Sequence, residues 1–309
     1  MKRRNFINQS LKMGALASLA GAIPLELLAN TPYTKPFFKI SLAQWSFHRA
    51  LFDGSMDHLE FAAKARSLGC EGLEYVNRFF STKAKDNSYL RQMNARAEDE
   101  GVKNLLIMVG REGNLASPDK AERSKAITNH YKWVEAAQFL GCHSIRVDLR
   151  GGIKKTEAAM ASLDSLNRLA EFAQKANINI LVENHGGFSS DGSWLASIMK
   201  KVDRNNCGTL PDFGNFCIEK GEDKLCLEEY NKYQGIKELL PFAKGVSAKS
   251  YQFNDKGDET AIDYYRMLRT VKASGYTGYI GIEYEGSTHS EKEGVILTRD
   301  LLLKAGSIV

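Results

Sequence analysis

The chain has 309 residues, 43% of them hydrophobic and 26% charged, a composition that allows a large buried core and argues against disorder. Its formal charge of +5 is unevenly spread, because Lys2, Arg3, Arg4 and Lys12 against Glu26 place +3 of it in the first thirty residues. With about +2 left for the rest and no Lys/Arg cluster interleaved with aromatics, no nucleic-acid partner is expected.

Residues 1–30 read as an export signal peptide. Lys2-Arg3-Arg4-Asn5-Phe6-Ile7 is a basic segment in which twin arginines precede a spacer, a Phe and an aliphatic residue, followed by a Gly/Ala/Leu-rich stretch. This pattern resembles a twin-arginine-type signal and places the mature chain in the periplasm. Gly14, Gly21, Pro24 and Glu26 interrupt the apolar run, so no stable membrane span is expected. The alternative is a frayed basic amphipathic helix. No clean cleavage site stands out near Ala29.

Residues 31–309 form one domain. From Lys39 onward, short apolar runs alternate with longer amphipathic ones. Strands are expected at Lys39–Ser46, Gly72–Val76, Lys103–Val109, Ser144–Leu149, Asn179–Glu183, Gly208–Asp212, Gly245–Lys249 and Tyr279–Glu283, each β-branched or aliphatic and bounded by turn residues. Helical periodicity is clearest at Met56–Leu68, Asp119–Leu140, Glu157–Ala176 and Ala261–Ser274. The stretches Leu68-Gly69-Cys70, Leu140-Gly141-Cys142 and Ser274-Gly275-Tyr276 share one plan, in which a helix ends, a Gly takes the left-handed cap and an apolar strand follows. Strict alternation implies parallel strands with crossover helices, and eight unbroken units imply a closed (β/α)8 TIM barrel, with a doubly wound sheet as the runner-up. Cys70 and Cys142 fit as small core residues, whereas a disulfide among Cys207, Cys217 and Cys226 is left open.

In such a barrel the chemistry gathers at the C-terminal ends of the strands. Three expected strands end on carboxylates: Glu183, Asp212 and Glu283. Strand alternation turns Val182, Ile280 and Ile282 toward the helices and Glu183 and Glu283 toward the axis. Three acids converging on one axis repel unless a cation or protons offset them, and a hard divalent metal with oxygen ligands is the economical solution. A single strand-end acid would read more simply as a helix cap or a solvated charge. Gln44, Trp45, Ser46, His48, Glu74, Arg146, Asp148, Ser247 and Lys249 are expected around the same mouth. Trp45 suits the apolar face of a sugar, or is core; Arg146, Asp148 and Glu74 pair with one another as barrel filling, or face substrate. His58, His130 and His143 are read as structural.

Glu-Asn-His-Gly-Gly at 183–187, Pro-Asp-Phe-Gly-Asn at 211–215, Val-Ser-Ala-Lys-Ser at 246–250 and Ile-Glu-Tyr-Glu-Gly at 282–286 together resemble the xylose isomerase-like barrels of the sugar phosphate isomerase/epimerase family. The resemblance implies one divalent ion (Mn, Co, Zn or Mg), with Glu183, Asp212 and Glu283 as ligands. It also implies two glutamates, Glu183 and Glu283, that move protons beside a carbonyl through a metal-stabilised enediolate. The family's fourth ligand is a His two residues before a strand-seven Lys; here Ser247 stands there, ahead of Lys249. A water, His185 or Ser247 itself would complete the shell. Lys249 would donate to a developing oxyanion, and His185, Trp45, His48, Glu74, Arg146, Asn215 and Ser247 would contact substrate.

The function expected is therefore a metal-dependent sugar isomerase or epimerase. Export and the lack of a Gly-rich phosphate loop favour an unphosphorylated sugar or keto-sugar as the small-molecule carbohydrate substrate. A lyase that cleaves 3-keto glycosides by β-elimination is the alternative. A catalytically silent, metal-stabilised sugar-binding barrel is the non-enzyme alternative. Homo-oligomerisation is left open.

Overall fold

The computed structural model describes residues 36–309, so the export signal expected at 1–30 lies outside the described residues. Ten strands run β1 Lys39–Ala43, β2 Gly72–Val76, β3 Lys103–Met108, β4 Ser144–Val147, β5 Asn179–Glu183, β6 Cys207–Leu210, β7 Cys217–Lys220, β8 Cys226–Glu229, β9 Val246–Ser250 and β10 Tyr279–Tyr284. The helices are α1 His48–Asp53, α2 Phe61–Ser67, α3 Asn87–Asp99, α4 Lys120–Phe139, α5 Lys155–Gln174, α6 Gly192–Met199, α7 Lys232–Leu239, α8 Tyr264–Ala273 and α9 Glu291–Ile308. Eight strands form one parallel sheet in the order β6-β5-β4-β3-β2-β1-β10-β9. This is the expected TIM barrel, and each strand is followed by a helix that returns the chain over the outside.

The sheet closes between β6 and β9 through isolated parallel bridges, Thr209 with Ala243 and Asp212 with Ser247. Ser247 N–H donates to Pro211 O at 2.9 Å and Phe213 N–H donates to Ser247 O at 3.0 Å. Pro211 has no N–H to give, which is why β6 ends at Leu210 and not at Asp212 as expected. The first strand also stops early, at Ala43, because Gln44–Phe47 coils into a 3-10 turn. Gln44 Oε1 accepts the Val76 N–H at 3.0 Å, while Ser46 Oγ donates to Ile282 O at 3.1 Å and accepts from Tyr284 N at 3.0 Å. Gln44 and Ser46, expected at the mouth, thus fasten β1 to β2 and β10.

Alternation holds along the strands. Ile145 and Val147, Ile180 and Val182, Val246 and Ala248, and Ile280, Ile282 and Tyr284 pack into the layer between sheet and helices. The residues between them face the axis. Inside the barrel Ala43, Val76, Leu106, Met108, Leu181 and Leu210 make a small apolar plug, with Trp45 and Phe79 packed against it. Gly69, Gly141 and Gly275 have φ of 77°, 71° and 79°, the left-handed helix caps foreseen in the repeated helix–Gly–strand pattern. Cys70 and Cys142 are buried core residues.

The antiparallel hairpin β7–β8, between β6 and α7, was not anticipated. Cys217 and Cys226 pair across it as a disulfide, with Cα atoms 5.7 Å apart, which resolves the pairing left open among the three later cysteines. Cys207 is free.

Just past β10, a Cβ at Gly286 would stand 1.8 Å from the backbone carbonyl of Tyr251, so the loops after β9 and β10 meet there with no room for a side chain. Gly286→Ala is expected to destabilise the barrel by about 1–3 kcal/mol through overpacking, read from the urea midpoint. An unchanged midpoint would show that these loops part freely.

Candidate functional site

The acids at the mouth owe their direction to the strand pleat. Glu183 closes β5 after outward-packed Val182, and Glu283 lies in β10 between outward-packed Ile282 and Tyr284. Asp212, two residues past β6, is held by its backbone: its N–H donates to Asn184 Oδ1 at 2.8 Å, and Asn184 Nδ2 donates to its carbonyl at 2.9 Å. Asp212 Oδ1 accepts the N–H groups of Gly214 and Asn215, both at 2.8 Å, which leaves Oδ2 aimed inward. Oxygens of Glu183, Asp212 and Glu283 lie within 4.8 Å of one another, and all three side chains are buried.

Ser247, from β9, stands at the fourth corner. Its Oγ is 2.6 Å from Asp212 Oδ2 and 3.0 Å from Glu283 Oε2. A hydroxyl has one proton to donate, so two carboxylates share one donor. Lys249, fully buried, sets its Nζ 3.2 Å from Glu283 Oε1, 3.0 Å from Glu285 Oε1 and 3.9 Å from Asp212 Oδ2. On the other side Arg146 brings Nε to 2.7 Å from Glu183 Oε2 and Nη1 to 2.9 Å from Asp148 Oδ1. The Arg146–Glu183 approach is misaligned, and both Nε and Oε2 are buried without a hydrogen-bond partner. Asn215 Nδ2 donates to the other Glu183 oxygen at 2.9 Å.

Burial dominates the proton affinities here. It pushes Asp212 up to about 7 and Glu283 above its ordinary range, against the pull of Lys249 in both cases. Burial would lower Lys249, yet Glu283, Glu285 and Asp212 hold its proton well above the ordinary lysine value. Burial would also raise Asp148, but Arg146 and His185 together bring it below the usual carboxylate range. His185 is raised in spite of burial because Asp148 and Glu183 face it.

A cavity of about 610 Å³ opens onto this cluster and is lined by Trp45, Arg146, Asp148, His185, Glu283 and Glu285, among others. Trp45 is on its wall, stacked on His48 with ring centres 4.9 Å apart. His185 is there too, with Nδ1 2.9 Å from Asp148 Oδ1. Glu183, Asp212, Ser247, Lys249 and Asn215 are not on the cavity wall; Ser247, Lys249 and Asn215 hold the acids of the cluster from behind.

Two expected positions are corrected. His48, expected to contact substrate at the mouth, does not line the cavity; it begins α1 behind Trp45, with Nδ1 2.8 Å from Trp45 O, and so supports that ring. Glu74, expected around the mouth, sits in the middle of β2 and does not line the cavity. Its carboxyl accepts from Ser41 Oγ at 2.6 Å and would collide with any side chain at Gly281. Arg146 pairs with Asp148 as foreseen, but its second partner is Glu183 and not Glu74. His58 and His143 are structural, bonded to Tyr89 and Ser144. His130 bonds Ala126 O within α4, although its ring also reaches the cavity wall.

Sequence reasoning passed over Glu285, Arg150, Arg78 and Arg111, which also line the cavity. Glu285 and Arg150 stand two residues past Glu283 and Asp148, so extending the alternation by one step would have found them.

The donor set fits a hard divalent ion. Three carboxylates offer oxygen only, Glu183 Oε2 is a buried acceptor without a hydrogen, and one hydroxyl proton serves two acids. Asp148, Glu183 and His185 form a second group of similar compactness, but Arg146 already stands between its two acids.

A family model, the xylose isomerase-like TIM barrel, matches residues 62–304. Solved structures share the fold. D-Psicose 3-epimerase from Clostridium cellulolyticum H10, seen with D-tagatose, is 17% identical over 87% of this chain and 96% of its own, with a TM-score of 0.63. 3-Keto-D-glucoside 4-epimerase from E. coli is 15% identical over 85% and 99%, with a TM-score of 0.65. A xylose isomerase-like TIM barrel protein from Mycobacterium smegmatis, in complex with magnesium, is 14% identical over 89% and 100%, with a TM-score of 0.65. No curated protein matches the chain in sequence.

Two predictions follow from the charges. Burial pushes Glu74 from its ordinary 4.5 up to about 8, with the Ser41 hydrogen bond opposing. The folded state thus holds a proton that the unfolded chain releases earlier, and Glu74 costs stability progressively as pH rises from about 4.5 to about 8. Glu74→Gln is expected to flatten the fall in unfolding free energy across that window; an identical slope would show that Glu74 contributes none of it. Lys249→Met strands Glu283, Glu285 and Asp212 and is expected to cost about 3–5 kcal/mol at neutral pH by chemical denaturation. A loss under about 1 kcal/mol would mean that protons replace the ammonium at little cost.

Proposed function

Because the chain belongs to the xylose isomerase-like TIM barrel family, we propose that it is a divalent-metal-dependent sugar isomerase or epimerase. The observation that carries this reading is the buried triad of Glu183, Asp212 and Glu283, whose oxygens meet within 4.8 Å beside a cavity of monosaccharide size. These three would hold one ion (Mn, Co, Zn or Mg), with Ser247 at the fourth corner. When bound, such an ion supplies Lewis acidity toward a carbonyl or hydroxyl oxygen.

The chain's own groups divide the remaining work. Glu283 faces the cavity and has a raised proton affinity, which suits a group that takes a proton from carbon and returns it. Glu183, steadied by Asn215, would serve the neighbouring carbon from the other side of the axis. Lys249 holds Glu283 and Glu285 in place, and it would reach a developing oxyanion only by giving up one of them. Trp45 would cover the apolar face of the sugar ring, and Arg146 and His185 would contact its hydroxyls. Asn215, Ser247 and His48 would act from behind, by holding Glu183, Glu283 and Trp45, while Glu74, bonded to Ser41 in β1, holds none of these groups.

A lyase acting on 3-keto glycosides is the second reading. It is favoured by the hydroxyl of Ser247 where the resemblance implies an imidazole, and it begins with the same proton abstraction. We further propose that the chain is exported to the periplasm through the basic, twin-arginine-type segment at its start and acts there on an unphosphorylated sugar. The Cys217–Cys226 disulfide supports an oxidising compartment.

Metal-loaded and chelated protein are compared in deuterated water with ketoses and 3-keto glycosides, followed by NMR. Deuterium incorporation without bond cleavage, lost on chelation and lowered about 10²- to 10⁴-fold in Glu183→Gln or Glu283→Gln, is the expected result. Release of an aglycone assigns the lyase instead. Normal metal uptake with neither reaction would leave a sugar-binding barrel.

A further inference from the structure

The cavity has a second wall that proton transfer does not use. Asn77 and Gly110 clamp the ends of β2 and β3 together: Asn77 Nδ2 donates to Gly110 O, and the Gly110 N–H donates to Asn77 Oδ1, both at 3.0 Å. The residue after each is an arginine, so the clamp sets Arg78 and Arg111 side by side, and both line the cavity. Arg78 is half-buried, and its guanidinium packs over the rings of Phe52 at 4.6 Å and Trp45 at 5.4 Å. Arg111 has φ of 62°, a left-handed backbone that an arginine adopts only when its surroundings impose it.

Neither arginine has a carboxylate partner among the described residues. Glu112, next in sequence, is taken by Lys132 at 2.9 Å and by Trp133 Nε1 at 2.7 Å. Asp148 is taken by Arg146 and His185, and Glu285 by Lys249. Arg150, on the same wall, pairs with Asp148 at 3.5 Å and donates to the His185 carbonyl at 3.1 Å. Two cations brought together without an acid repel, and burial and the Arg111 charge both press Arg78 below its ordinary proton affinity. An anion placed between them would offset that repulsion.

The geometry points to Arg78 and Arg111 as a fork that binds an anionic group of the substrate, a carboxylate or a phosphate, at the end of the sugar remote from Glu183 and Glu283. This inference rests on the isomerase or epimerase reading above and narrows its substrate to a charged sugar, which is a sugar acid if the substrate is unphosphorylated as proposed. Guanidinium pairs match the planar or tetrahedral oxygens of such groups, and Arg78 is already held in place by its aromatic neighbours.

The full-length protein is titrated calorimetrically with D-glucose, D-glucuronate and D-glucose 6-phosphate at low and high salt. At least one of the two anions is expected to bind about tenfold or more tighter than glucose, with an advantage that shrinks in salt. In Arg78→Gln/Arg111→Gln the ratio of anion to glucose affinity is expected to fall toward one, while Arg111→Gln alone, at an exposed position, loses part of it. Preference for glucuronate assigns a carboxylate and supports both the fork and the unphosphorylated sugar proposed above; preference for glucose 6-phosphate assigns a phosphate, supports the fork and overturns the unphosphorylated sugar. Equal binding of all three sugars, no binding of either anion, or an advantage that survives in both variants overturns it. Deuterium exchange into a neutral ketose without any anion preference would remove the arginine fork and leave the isomerase reading standing.

Discussion

The constraint on which the structure depends is the burial of like charges at the top of the barrel. Glu183, Asp212 and Glu283 share one small volume, with Glu285, Asp148 and Glu74 close by, and they are offset by Arg146, Lys249 and protons. A charge taken out of water costs several kcal/mol unless it is paired. Each compensating group is accordingly buried as well, and each is tied to more than one acid. Lys249 reaches three carboxylates and Arg146 two. Both still leave negative charge over, which is the charge a divalent cation would offset in the proposed function.

The barrel supplies this arrangement through its pleat and its closure. Alternation places acids and bases on the axis while Ile, Val and Tyr on the same strands pack outward. Closure between β6 and β9 depends on Pro211, whose missing N–H ends β6 early and frees the chain to turn Asp212 inward. Ser247 then serves twice. Its backbone completes the seam with Pro211 and Phe213, and its hydroxyl is the proton shared by Asp212 and Glu283. The seam of the fold and the corner of the site are the same residue.

The cavity is asymmetric in charge. Its lining carries Glu283 and Glu285 from β10, and Arg78 and Arg111 from the ends of β2 and β3, with Arg150 beside Asp148 past β4. Under the proposed function, such polarity would orient a charged substrate.

The sequence by itself determined the barrel, the strand positions to within a few residues, and the inward direction of Glu183, Glu283, Ser247 and Lys249. All of these follow from local periodicity, which depends only on the pleat and on neighbouring residues. It also marked Gly69, Gly141 and Gly275 as left-handed caps, because a helix end needs that conformation whatever surrounds it. Only the tertiary structure decided which groups pair. Arg146 chose Glu183 over Glu74, His48 withdrew behind Trp45, Gln44 and Ser46 became fasteners between strands, and Cys217 found Cys226. The Arg78–Arg111 fork is legible only once Asn77 and Gly110 are seen to bond. Pairing depends on distances between strands far apart in the chain, and no spacing within one strand records them.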